Sequence, residues 1–438
     1  MPTALAEPWV FVFNISMNEH DLVDRSTIAL SNVLGHATQL QIKHGKGAYL
    51  TDYNNKDYLD FGAGIAVNST GHCHPHVVSA IQAQSSTLLH ACAGVVYYDQ
   101  NITLAEKLGA IAGGDLNSVF FTQSGTEAVE AALKCAVYVK NKPNIVTFNG
   151  SFHGRTLGAL SVTTSNPNYL KRYPSAFPNR VVLEYPYFLK NQAPISTEAG
   201  YLEYLSGALN ALDTSTIAAV IIEPFMGEGG YVPCPGSVLS LLRSWCSQHD
   251  VFLIFDEIQS GIARTGEWFY FQHCGVTPDI LTSAKGIASG LPLGACIATK
   301  AIMDQWQTGS HGGTYGGNPL SCAAGIATLE VLTPLHQHIA TLGDMALHYC
   351  KAELAHHPLV GDIRGKGLMI GLEFITTKGE PNADAVSAIL SDCLTHHVLV
   401  LCCGIHRNVI RLMPPLTISK DELMTGLRVL VDACHRAL

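Results

Sequence analysis

Val251-Phe-Leu-Ile-Phe-Asp-Glu257 is a run of five apolar residues closed by two carboxylates, and Ala284-Lys-Gly286 follows one strand signal later. An unbroken apolar run of that length, ending in charge and then Ser260-Gly261, reads as a strand buried on both faces. Asp256 and Glu257 then stand where the strand leaves its sheet. In open α/β sheets the ligand crevice lies outside those carboxyl ends. A second short run, Asp279-Ile-Leu-Thr-Ser283, delivers Lys285 among Ala284, Gly286 and Gly290, where little side-chain cover keeps a flat ring from its amine. One carboxylate and one crowded lysine at neighbouring strand ends suit a pyridine aldehyde, with the aspartate on the ring nitrogen and the lysine on the aldehyde carbon. Strand ends are commonly acidic and loops commonly carry lysine, so these two elements need support from the rest of the chain.

That support begins with the order of elements. Strand signals at 118–121, 145–148, 181–183, 217–222, 251–256, 280–283 and 293–298 alternate with helix signals at 104–112, 126–140, 198–212, 236–249 and 319–334. Such alternation predicts an α/β domain over 71–330, its mostly parallel sheet covered on both faces. Upstream, a short helix is expected within 18–33, and residues 47–61 read as a hairpin around the turn-rich Asn54-Asn-Lys-Asp57. A helix is expected near 76–90. Two strands cannot stand alone, so residues 1–70 are expected to contribute to a smaller domain. Residues 331–438 supply the rest of it: a helix at 336–356, a turn through Val360–Gly367, a strand at 368–374 and a helix at 382–396. Strands at 398–402 and 408–412 and a last helix from Ser419 complete a small α+β domain built from both chain ends.

Composition sets the outer limits. The 438 residues are 47% hydrophobic and 14% charged, with a formal net charge of −9 and no basic run interleaved with aromatics. Nucleic acid is therefore an unexpected partner. No apolar stretch reaches the length of a membrane span, and Pro8–Asn14 is too short for a signal-peptide core. Thirteen cysteines at irregular spacing, without a Cys-x-x-Cys pair, read as reduced thiols in a cytoplasmic protein. His72, Cys73, His74 and His76 crowd one tight segment, but no second cluster stands at metal-site spacing, so no metal is expected.

Further strand ends carry polar groups. Ser124-Gly125-Thr126 sits between a strand and a helix, where amide N–H groups and a hydroxyl at the helix N-terminus can seat a phosphate. Phe148-Asn-Gly-Ser-Phe-His-Gly-Arg155 offers Phe152 and His153 to a flat ring and Arg155 to a carboxylate. Ile221-Ile-Glu-Pro224 with Gly227-Glu-Gly-Gly230 holds Glu223 and Glu228 at the sheet edge. Thr314 lies in Thr314-Tyr-Gly-Gly-Asn-Pro319, a loop suited to a phosphate of this subunit or of a neighbour, and Arg411 precedes the rigid Pro414-Pro415.

Taken in order, these segments resemble the class III, fold type I aminotransferases, which use pyridoxal 5′-phosphate, across nearly the whole chain. The resemblance rests on Gly64-Ile-Ala-Val67 with Gly71-His-Cys-His-Pro75, Ser124-Gly-Thr-Glu-Ala128, Phe152-His-Gly-Arg155 and Glu223-Pro224 with Gly227-Glu-Gly-Gly230. Asp256-Glu-Ile-Gln259, Ala284-Lys-Gly286 and Gly313-Thr-Tyr-Gly-Gly-Asn-Pro319 complete it. It implies Lys285 as the residue that links covalently to the cofactor and moves the substrate proton, and Asp256 on the pyridine nitrogen. Phe152 would stack on the ring beside His153, Gln259 would approach the phenolic oxygen, and Glu223 would help set the ring-hydroxyl network. Ser124, Gly125 and Thr126 would form the phosphate cup, completed by Thr314 from the partner subunit of a homodimer. Ile65, Arg155, Glu228 and Arg411 would contact substrate.

The reaction implied is transfer of an amino group from 4-aminobutyrate or a related ω-amino acid to 2-oxoglutarate. Cys402-Cys-Gly-Ile-His-Arg-Asn-Val-Ile-Arg411 resembles the 4-aminobutyrate branch, whereas Gly309-Ser-His-Gly312 and Leu412-Met-Pro-Pro415 resemble the acetylornithine branch. Arg407 stands where a glycine is usual. An acetylornithine or ornithine donor remains the alternative, as does racemisation of an amino acid on the same cofactor.

Overall fold

The computed structural model describes residues 21–188 and 195–437. Seven strands form the central sheet: β1 Ser118–Thr122, β2 Asn144–Phe148, β3 Val181–Leu183, β4 Ile217–Ile222, β5 Phe252–Asp256, β6 Ile280–Ser283 and β7 Gly294–Ala298. Their spatial order is β1-β7-β6-β5-β4-β2-β3. β5 pairs in parallel with β4 and β6, as β2 does with β4 and β3, while β7 runs against both β6 and β1. Every residue of β4, β5, β6 and β7 is buried. Helices cover both faces of these strands, which is why they read as continuous apolar runs instead of alternating ones.

The helix Gly125–Lys140 lies close against the sheet because its buried residues include Ala128, Ala131, Ala132 and Ala136. Small side chains let a helix backbone approach, and that proximity brings its N-terminus over the strand ends.

The hairpin at 47–61 is present as Tyr49–Asp52 and Asp57–Asp60, but it has two further partners. Ile42–Lys46 pairs antiparallel with the first of them, and Val398–Leu399 pairs in parallel with the second, Leu59 opposite Val398. The stretch expected as one strand at 398–402 is therefore two. Leu401–Cys403 joins a different sheet, beside Val409–Leu412, and Val400 carries the chain across. The segment expected as a turn at Val360–Gly367 is mostly strand. Val360–Lys366 pairs with Met369–Phe374, and the reversal is confined to Leu368 and Gly367, whose φ of 55° lies in the left-handed region. Glycine and charge in that strand concealed a partner that only tertiary pairing supplies. The helix expected at 76–90 stops at Ser85, and that expected from 104 begins at Asp99. Leu22–Ala29 falls inside the expected 18–33 window, whose first residues, like Pro8–Asn14, lie outside the described chain.

The histidine cluster is spent on structure. His72 Nε2 donates to Asp60 Oδ2 at 2.8 Å, His76 contacts Glu330 at 2.9 Å, and the His74 ring caps the helix Pro75–Ser85.

Candidate active site

A cavity of about 520 Å³ opens at the carboxyl ends of β4, β5 and β6. Asp256 is the last residue of β5. Its Oδ2 accepts from His153 Nδ1 at 2.7 Å, and its Oδ1 accepts from Thr282 Oγ1 and from the Ile258 N–H, both at 3.1 Å. Thr282 lies opposite Asp256 in the β5–β6 register, so the sheet itself aims the carboxylate. The buried Nε2 of His153 has no partner among the described residues.

The turn carrying Phe152 and His153 is pinned along its backbone. The Phe152 N–H donates to Glu223 Oε1 at 2.8 Å, and that of His153 to Thr163 Oγ1 at 2.9 Å. Gly154 passes so close that a Cβ would sit 2.1 Å from Thr126 Oγ1, and its φ of 131° is one that side chains rarely adopt. Only glycine fits there. Arg155 emerges beyond it with its guanidinium 4.3 Å from the Tyr169 ring centroid and 5.9 Å from that of Phe152. Glu223 also accepts from the Gly227 N–H at 2.9 Å. Burial, with the Asp256 charge adding to it, lifts this carboxyl to about 7 against the opposing pull of His153 and the two amides.

Lys285 enters from the loop after β6 with φ 41°, in the left-handed region. Burial and then the positive charge of Arg411 lower its amine to about 8, although Asp256, Glu223 and Glu228 act the other way. Arg411 Nη1 donates to Glu228 Oε2 at 2.7 Å. Burial opposes the arginine's charge, but Glu228 outweighs it and holds the guanidinium above its ordinary value.

The cavity is lined by Ser124, Gly125, Thr126, Phe152, His153, Arg155, Glu223, Glu228, Asp256, Gln259 and Lys285, all named from sequence. Arg411 stands behind Glu228. The Ser124 hydroxyl donates to Glu127 Oε2 at 3.0 Å, and Thr126 Oγ1 holds Thr156 and the Arg155 amide. What this corner offers an anion is chiefly the helix's first amides, at Gly125 and Thr126, which have no acceptor within the helix. Thr314 is exposed on its loop, outside the lining of its own chain's cavity, and Ile65 is 44% exposed. Ala63, Gly64, Ile65 and Ala66 all have positive φ, so the chain coils tightly there and Val67 lines the cavity instead. Val67, Ile258 and Leu291–Leu293 were not picked out in the sequence, because apolar loop residues carry no chemical signal. Glu257, next to Asp256, lies outside the cavity altogether.

The arrangement fits pyridoxal 5′-phosphate. Helix-terminal amides face a phosphate position, and Phe152 offers a ring face. Asp256 stands at a strand end for a ring nitrogen, and Lys285 supplies an amine that burial lowers to about 8. The buried Oε1 of Gln259 has no partner among the described residues and is free to meet a ring substituent. Fold and site together are those of a pyridoxal-phosphate transferase.

The family model for class III aminotransferases matches residues 31–434. The chain is 39% identical over 398 residues to the acetylornithine aminotransferase of Bacillus subtilis, covering 90% of this chain and 94% of that one. It is 34% identical over 429 residues to the 4-aminobutyrate aminotransferase of Mycobacterium leprae, covering 94% of each. Among solved structures, an amine transaminase from an uncultivated Pseudomonas species in its pyridoxal-phosphate-bound form is similar at a TM-score of 0.87 and 29% identity, over 93% of this chain and 99% of that one. The chain belongs to the class III aminotransferase family, and it is a pyridoxal-phosphate-dependent aminotransferase.

Proposed function

We propose that this enzyme takes the terminal amine of an ω-amino acid, with 4-aminobutyrate as the leading donor, and passes it to 2-oxoglutarate, giving a semialdehyde and glutamate. The observation that carries this reading is the Glu228–Arg411 pair at the cavity wall. While Glu228 masks the arginine, the wall suits a donor whose only carboxylate is far from the reacting amine. When Glu228 turns away, Arg411 can grip the α-carboxylate of the dicarboxylic acceptor in a bidentate clamp. Arg155, held over Tyr169 at the other side, is placed for the distal carboxylate of either substrate.

The cofactor supplies an aldehyde carbon and an electron-accepting ring. The chain's own groups do the rest: Asp256, oriented by His153 and Thr282, keeps a positive ring nitrogen paired, and Lys285 Nζ holds and returns the proton taken from the substrate carbon. The exposed position of Thr314 supports a homodimer in which that hydroxyl reaches the neighbouring subunit's phosphate seat. No helix among the described residues is long and apolar enough to cross a membrane, and the thirteen unpaired thiols support a reducing compartment, the cytoplasm.

An acetylornithine donor is the second reading, favoured by the higher identity to the Bacillus subtilis enzyme. It too presents a terminal amine, so the test is direct. The cofactor-loaded enzyme is mixed separately with 4-aminobutyrate and N-acetylornithine, without oxo acid, and the cofactor absorbance is followed. Rapid bleaching by 4-aminobutyrate is expected; bleaching by N-acetylornithine alone would reassign the donor. Exchange of an α-proton without bleaching would replace transamination by racemisation. Arg411→Ala should raise the KM for 2-oxoglutarate at least about tenfold, because the clamp is lost; an unchanged KM would remove Arg411 from substrate binding.

A further inference from the structure

Arg364, Gly371 and Arg411 form one row across the C-terminal sheet, Arg364 opposite Gly371 and Gly371 opposite Arg411. Side chains at directly opposed positions of adjacent strands share a face. Two arginines therefore stand on one face with a gap between them where Gly371 has no side chain. The 227–231 loop descends into that gap: a Cβ on Gly371 would lie 2.8 Å from Tyr231 Cβ and 3.5 Å from Gly230 O.

Arg364 grips the loop's backbone there. Its Nη2 donates to Gly230 O at 2.5 Å and its Nε to Tyr231 O at 3.0 Å. Its Nη1 donates to Glu373 Oε2 at 2.7 Å and to Asp362 Oδ2 at 3.0 Å, which balances the charge of a guanidinium whose side chain is only 10% exposed. On the loop's other side the Gly404 N–H donates to Glu228 O at 2.8 Å. The backbone of Glu228 is thus held from both directions. Its side chain, on Arg411, is the part left to move.

We infer that Arg364 is a positioning residue for substrate discrimination: its fork on the Gly230 and Tyr231 carbonyls fixes the loop so that Glu228 reaches and masks Arg411. The inference rests on the two-carboxylate reading of the site given above. Exchange between donor and acceptor then requires rotation of one side chain and no movement of the loop. A planar fork on two successive carbonyls is a geometry that lysine cannot reproduce, although lysine keeps the charge that Glu373 and Asp362 need.

The test is Arg364→Lys in the cofactor-loaded enzyme, with each half-reaction measured separately and binding of glutarate measured by calorimetry. With Glu228 loosened, Arg411 is less often masked. The KM for the ω-amino donor should rise about tenfold, while the KM for 2-oxoglutarate and the glutarate Kd do not rise. Gly371→Ala, which pushes Tyr231 from the opposite side, should shift the same ratio in the same direction. Tyr187→Phe removes a donor to Glu373 without touching the loop and should leave both KM values in place. Parallel loss in both half-reactions, no change in either, or the same shift in Tyr187→Phe would overturn the inference. Arg411→Ala measured alongside separates the two failures, because an unchanged 2-oxoglutarate KM there sinks the underlying reading whatever Arg364 does.

Discussion

Lys285 combines two departures from an ordinary lysine. Its φ of 41° is strained for a residue with a Cβ, a conformation that costs on the order of 1–2 kcal/mol. Its amine is lowered to about 8 by burial and by Arg411. The neutral amine is the nucleophile, and a base whose value is depressed reaches that form at lower pH. Uptake of pyridoxal 5′-phosphate by the cofactor-free enzyme should therefore accelerate about tenfold per pH unit below 8 and level off above it. Stopped-flow absorbance measures this directly. A rate still climbing between pH 9 and 10 would show that the amine is not depressed.

At the level of elements, the end of β5 sorts two neighbouring carboxylates to different tasks. Asp256 turns into the cavity, while Glu257 turns to the sheet's other side and is fully buried. There it accepts from Ser260 Oγ at 2.9 Å, the Tyr270 N–H at 2.6 Å and the Phe271 N–H at 2.8 Å, tying the start of the Phe271–Cys274 helix to the strand. Burial raises Glu257 to about 7 against those three donors. The folded state holds a proton that the unfolded state has released, so its contribution to stability is full below the unfolded value and is lost as pH rises through about 7. Glu257→Gln replaces one acceptor by a donor facing a backbone N–H and should cost about 1–3 kcal/mol in urea denaturation. The deficit should be larger at pH 5 than at pH 8; a deficit growing with pH would show that Glu257 is charged when folded throughout.

For the whole molecule, Arg264 is a joint between distant parts of the chain. It is 1% exposed, and its Nη1 donates to Leu368 O at 3.2 Å and to Pro414 O at 2.5 Å. Burial lowers it to about 10. Across the proposed dimer, Thr314 gives a prediction that no single-chain experiment can make. Lys285→Ala and Thr314→Ala homodimers should each be defective, the first inactive and the second with cofactor bound at least about tenfold more weakly. Subunits exchanged between the two place an intact Lys285 and an intact Thr314 at one site of each mixed dimer. Activity should return to about half that of the wild type per mixed dimer. No recovery after demonstrated exchange would place Thr314 with its own chain's site.

The α/β sheet and most of its strand ends were legible in the chain alone, because burial on both faces writes itself as a local apolar run and turn chemistry closes it. Asp256, Lys285, Glu223 and the Ser124–Thr126 corner were legible for the same reason: each sits at such an end. The resemblance singled out Asp256 over Glu257, and tertiary packing supplies the reason: one residue of alternation turns Asp256 into the cavity and Glu257 into a buried site on the other side. Only the tertiary structure split 398–403 between two sheets, made Val360–Lys366 a strand, and left Ile65 exposed while Val67 lined the cavity. The Glu228–Arg411 contact joins residues 183 positions apart, and the Arg364 fork joins residues 134 apart. Pairings at such separation are set by the closing of sheets on one another, and local sequence has no term for that.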